Sequence, residues 1–241
     1  MQSQSCVTIA EMAAASLAAV RVFERLGIDY CCNAKRSLAE VCREKGLDAN
    51  VVQSEVDAAA GARKGVDRDW ATAPLRDLAD HIVNTHHEYL KREFQPLAER
   101  VENVYRVYNE RYGPTLTGLP EVYAGLRSEL EMHMVKEERI LFPAIVAAES
   151  AAASGAPPPR TPFGPVANPI GMMEAEHDNA AQALAQIRLI TGAFAIPDYA
   201  CETFSALITG LHALEQDLHL HIHLENNILF PRAIELERSR R

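Results

Sequence analysis

The chain has 241 residues, of which 48% are hydrophobic and 6% aromatic, and a formal net charge of −9. The acidic balance argues against a nucleic-acid surface, which needs a basic stripe, and no apolar run reaches the roughly 18 residues of a membrane span. Abundant Ala and Leu with few aromatics favour an all-α protein. From five cysteines without framework spacing, and a start lacking a basic segment followed by an apolar one, the protein is expected in the reducing cytoplasm.

Thr8 with Glu11, and Ser37 with Glu40, have capping-box spacing, in which hydroxyl and carboxylate satisfy each other's backbone N–H groups. One helix is expected from there to Leu26 and another to about Lys45, with Gly27 and Gly46 as left-handed caps. A third spans about 50–62, which makes a helical N-terminal domain of residues 1–65. From Pro74 helical spacing resumes through Tyr112, with Pro96 expected to kink or break it. Residues 113–120 are turn-rich, and a second long helix runs to about Glu149. A Pro- and Gly-rich crossover follows, then a third helix from Pro169 to about Thr191, a connector at 192–197, and a fourth helix through Glu225. Four long helices with one long crossover form a four-helix bundle, here over residues 74–237.

The bundle carries one motif twice. His133 and Glu137 stand in HMVKEERILFP, and 88 residues later His221 and Glu225 stand in HIHLENNILFP. Residues four apart share a helix face, so each copy aims an imidazole and a carboxylate at one spot. Both pairs lie inside apolar stripes: Leu126, Leu130, His133, Glu137, Ile140, and Leu211, Leu214, Leu218, His221, Glu225, Ile228. Buried His–Glu hydrogen bonds could explain one copy, but a carboxylate is costly on an apolar face unless paired or coordinated, and two matched copies point to metal. His177 lies on the stripe Ile170, Met173, His177, Ala180, Leu184. In the first helix either His86 or His87 fits, and spacing leaves both open. Nitrogen and oxygen donors with open positions suit iron or manganese better than a closed zinc site. His81, His86, His212, His219 and His223 fall off the stripes or flank ligands, which suggests solvated positions or ones behind the ligands.

EAEHD, HIHLENNILFPRA and HMVKEERILFP resemble the hemerythrin-like domain of the repair-of-iron-centres family, YtfE/ScdA type; FERLGIDYCC with KRSLAEVC resembles its short N-terminal domain. The resemblance covers nearly the whole chain. It implies two iron ions in a carboxylate- and oxo-bridged centre held by His87, His133, Glu137, His177, His221 and Glu225, with Glu129 and Glu176 as carboxylates near the irons. It also implies a role for the adjacent Cys31 and Cys32, which could bind a nitrosyl species, pass electrons or form a strained disulfide. The family usually follows its cysteine pair with two glycines; this chain has Asn33 and Ala34.

The leading expectation is a stress protein that repairs iron–sulfur clusters damaged by nitric oxide or peroxide, with damaged iron–sulfur proteins as partners. Two alternatives use the same centre: a nitric oxide or dioxygen sink or sensor, and an enzyme reducing nitric oxide to nitrous oxide. Thiol chemistry at the irons requires Cys31 or Cys32 to approach the bundle, from this chain or from the second chain of a homodimer.

Overall fold

The computed structural model describes residues 7–31, 36–62, 68–112 and 116–240. Cys6, Cys32, Asn33 and Ala34, and the roles expected of them, lie outside the described residues. The protein is all-α, with no strand among those residues. Its helices are α1 (Ile9–Ala15), α2 (Leu17–Arg25), α3 (Leu38–Lys45), α4 (Ala49–Ala62), α5 (Leu75–Ile82), α6 (Glu88–Tyr112), α7 (Leu119–Lys136), α8 (Phe142–Ser154), α9 (Ala167–Ile190), α10 (Glu202–Leu224) and α11 (Phe230–Arg238). Wider π-helical turns join α5 to α6 (Val83–His87), α7 to α8 (Glu137–Leu141) and α10 to α11 (Glu225–Leu229). No helix among the described residues is long and apolar enough to cross a membrane.

Two compact units are present, one of residues 1–79 with 219–241, the other of residues 80–218. In the first, both expected capping boxes form at Thr8 and Ser37. The single helix expected up to Leu26 is instead two. Ser16 is extended at φ −158° and its side chain accepts from the Ala18 N–H, so the hydroxyl starts a new helix where the old one ends. Ile9, Phe23, Val41 and Val52 bury their side chains together, and Leu220 packs against them. Arg232 donates to the carbonyls of Trp70 (2.8 Å) and Ala73 (2.6 Å), which ties α11 to the segment before α5.

In the second unit, Phe94, Leu97, Leu126, Leu130, Leu184, Leu211 and Leu214 form the core between α6, α7, α9 and α10. The buried Tyr123 hydroxyl donates to the Phe94 carbonyl at 2.9 Å. A Cβ at Gly210 would come within 2.6 Å of a Leu97 methyl, so glycine permits the close approach of α10 to α6. Pro96 lies inside α6 without breaking it; the interruption of this first long run is the π turn at 83–87. Ile140, expected on the buried stripe, is 50% exposed, and Leu141 is buried instead. The π turn inserts one residue per turn beyond α-helical phase, which carries the apolar face from position 140 to 141.

Candidate metal centre

Each π turn begins or ends on a candidate ligand. Val83–His87 closes on His87, while Glu137 and Glu225 open the other two. In both copies the turn closes with a backbone bond five residues back, Phe142 N–H to the Glu137 carbonyl and Phe230 N–H to that of Glu225. The prolines that follow, Pro143 and Pro231, have no N–H, and in an α-helix their rings would collide with the carbonyl four residues back. The wider turn relieves that collision.

Within residues 80–218, His87, His133, Glu137 and His177 are all at most 1% exposed. Glu137 Oε2 lies 3.2 Å from His133 Nε2 and 3.4 Å from His87 Nε2. His177 Nε2 lies 3.0 Å from His133 Nε2. Donor atoms of His133, Glu137 and His177 all fall within 4.8 Å of one another. In the other unit His221 Nε2 and Glu225 Oε1 are 2.9 Å apart, both residues equally buried.

Two carboxylates hold the imidazoles from behind. Glu138 Oε1 accepts from His87 Nδ1 at 2.8 Å, and Glu176 Oε2 from His133 Nδ1 at 2.8 Å. Lys91 bonds Glu138 at 2.8 Å, and Lys136 bonds Glu176. Burial opposes ionisation of both carboxylates, but their lysine and histidine hydrogen bonds outweigh it and keep Glu138 and Glu176 below the usual glutamate range. An ionised acceptor behind Nδ1 fixes the proton there and leaves a lone pair on Nε2 facing Glu137. This is how metal-binding histidines are commonly oriented.

The arrangement fits a cation. A wholly buried carboxylate on an apolar face is costly by itself, and a positive ion would be met at once by Glu137 and the imidazole nitrogens that converge on it. These buried histidines and glutamates can hold a metal, and a nitrogen and oxygen donor set without thiolate suits iron or manganese.

Of the other residues singled out by sequence, Glu176 stands behind His133, whereas Glu129 is exposed on the flank of α7. The position beside His87 belongs to Glu138, which sequence reasoning missed; the one available signal was its adjacency to Glu137. His86 and His223, expected in solvated positions or behind the ligands, are buried. His86 Nδ1 pairs with Asp217 at 2.9 Å. His223 is pushed down to about 4 by burial, against the opposing pull of the Tyr30 and Ala13 backbones. Cys31 is 5% exposed; both its N–H (3.0 Å) and its thiol (3.4 Å) point to Asp29 Oδ1.

The chain matches the family "Hemerythrin HHE cation binding domain" over residues 78–233 and the family "Domain of Unknown function (DUF542)" over residues 6–60. The first match takes in all six candidate ligands. An "Iron-sulfur cluster repair protein YtfE" of Escherichia coli O81 (strain ED1a) is 36% identical over 227 residues, covering 94% of this chain and 96% of that protein. The protein of the same name from Escherichia fergusonii is 35% identical over the same spans. With both domains matched in order and over a third of residues identical along nearly its whole length, the chain belongs to the YtfE family, in which a DUF542 module precedes a hemerythrin HHE domain.

Proposed function

We propose that this protein is a cytoplasmic di-iron protein that repairs iron–sulfur clusters damaged by nitrosative or oxidative stress. The observation that carries the reading is the duplicated buried His/Glu pair, one copy backed by ionised carboxylates, in a chain whose relatives are named for cluster repair. His87, His133, Glu137, His177, His221 and Glu225 would hold two iron ions; the sequence repeat and the span of the hemerythrin match support grouping them. When bound, the irons supply exchangeable ferrous ion, one-electron redox change and open positions for nitric oxide or another diatomic.

The side chains set how that iron is held. Imidazole and carboxylate grip ferrous iron less tightly than a thiolate cage would, so release to a damaged cluster is feasible. Lys91–Glu138 and Lys136–Glu176 keep His87 and His133 in the binding tautomer without touching the metal position. The segment 1–65 would act as a separate module carrying Cys31 and Cys32, and 74–237 as the iron-binding bundle.

The test is anaerobic recovery of a cluster enzyme inactivated by nitric oxide, on adding the iron-loaded protein. Recovery is expected to exceed that given by equimolar ferrous salt and to vanish with Glu137→Ala and Glu225→Ala, which should also lose iron from two per chain. Recovery no better than the salt refutes repair. Nitric oxide uptake with all iron retained and no recovery would favour a sink or reductase instead.

A further inference from the structure

Two of the positions at which the copies of the repeat differ touch the segment that carries Cys31. His223 and Asn227 correspond, 88 residues earlier, to Val135 and Arg139. Val135 is 41% exposed, and Arg139 is exposed too. The first copy keeps the histidine, the glutamate, the Leu-Phe-Pro and the same π-turn bond without a histidine or asparagine there. Neither residue is therefore required to place a ligand or to close the turn.

What they do in the second copy is visible in their contacts. Asn227 Nδ2 donates to the carbonyl of Tyr30, the residue before Cys31, at 3.3 Å, and lies 3.0 Å from His223 Nδ1, which can accept from it. The His223 ring meets Tyr30 edge-on, with centroids 5.5 Å apart at 71°, and His219 flanks the same ring at 6.3 Å. Tyr30 is 1% exposed, and its hydroxyl donates to Glu24 at 2.8 Å. Asn227 stands two residues after Glu225 inside the turn Glu225–Leu229. One amide thus ties the peptide preceding Cys31 to the turn that opens on Glu225.

We propose that Asn227 and His223 are positioning residues that latch the Cys31 segment to the Glu225 turn and keep the thiol covered. The inference rests on the proposed use of that thiol, but its geometry stands apart from metal loading. Asn227 supplies the hydrogen bond; His223 orients the amide and packs on Tyr30. Movement of the turn would be felt at the Tyr30 carbonyl, and opening of the latch would expose Cys31 while leaving Cys42, buried in the core between α2, α3 and α4, protected.

Alkylation by iodoacetamide, read peptide by peptide by mass spectrometry on the full-length reduced chain, tests this. Asn227→Ala is expected to speed labelling of Cys31 tenfold or more with Cys42 labelling and iron content unchanged. His223→Phe keeps a ring against Tyr30 and loses Nδ1, so its increase should be smaller; Arg139→Ala, at the matching place in the other copy, should change nothing. Wild-type Cys31 labelling in Asn227→Ala overturns the latch. Equal acceleration of Cys31 and Cys42, or the same effect from Arg139→Ala, overturns it as well, since either marks general loosening. Because the Cys31-to-Cys42 ratio is read with or without iron, failure of the di-iron reading would appear separately, as absent metal.

Discussion

Removing Glu138 tests whether the carboxylate behind His87 tunes metal affinity. Its 2.8 Å bond to His87 Nδ1 is charge-assisted, because hydrogen bonds from Lys91 and His87 keep the carboxylate ionised. Loss of such a partner behind a metal-binding histidine weakens metal binding about 10–100-fold, or about 1.4–2.8 kcal/mol. The Glu138 side chain is 27% exposed, so water can enter after truncation and replace part of the bond. Glu138→Ala should therefore fall near the low end, about tenfold weaker. Glu138→Gln keeps an acceptor but loses the charge and should cost roughly threefold, since neutral hydrogen bonds are about half as strong as charge-assisted ones. The assay is anaerobic competition for ferrous ion against a chromophoric chelator. Glu176→Ala should behave like Glu138→Ala through His133, and exposed Glu129→Ala should not change affinity. Wild-type affinity in Glu138→Ala, or equal losses from Glu129→Ala, would refute the reasoning.

The Tyr123 hydroxyl is buried and bonded to the Phe94 carbonyl, so Tyr123→Phe should lower unfolding free energy by about 1–2 kcal/mol with iron content unchanged; urea titration measures it, and an unchanged midpoint would count against the bond. The capping glutamates Glu11 and Glu40 are held below the ordinary glutamate value by the backbone N–H and hydroxyl groups of Thr8 and Ser37. A carboxyl with a depressed folded pKa contributes stability above its unfolded value of 4.5 and loses it as pH falls through the folded one. Acidification from neutral to about pH 3 should therefore destabilise the wild type more than a Glu11→Gln, Glu40→Gln double variant, because glutamine can complete the box without titrating. Equal losses in the two proteins would show that the caps do not titrate with folding.

Much of the helical plan was legible because helices announce themselves through side-chain chemistry. The Thr8 and Ser37 caps, the Gly46 stop and the stripes through His133, His177 and His221 follow from local rules that packing leaves intact. The misses have physical causes. Ser16 was passed over because a hydroxyl inside an alanine-rich stretch looks helical until the backbone turns extended around it. His223 reads as lying off the stripe, yet it is buried, since the Tyr30 segment packs on a face that helical periodicity assigns to water. His86 and His87 could not be separated by a 3.6-residue rule because they sit in a turn that does not obey it; both are buried, one on Asp217 and one on Glu138.

That turn is the common device of the candidate site. In the two repeat copies the Leu-Phe-Pro supplies it chemically. A proline six residues after the glutamate denies the helix one donor and crowds one carbonyl, and the bond from Phe to Glu five residues back is the accommodation. His133 and Glu137 face inward together at ordinary four-residue spacing, and the extra residue after them lets Leu141 and Phe142 bury beyond; a strict α-helix would send Ile140 inward in their place. The first long run reaches the same geometry at Val83–His87 with no proline, closed by the Glu88 N–H shared between the Val83 and Thr85 carbonyls. Its cause is then tertiary: two adjacent buried imidazoles need different partners, Asp217 for His86 and Glu138 for His87, and a widened turn lets both be met. His177 alone among the six candidate ligands sits on a helix, α9, that no π turn interrupts. The π turns thus lie where the candidate ligands are, written as proline where the chain repeats and as a pair of histidines where it does not.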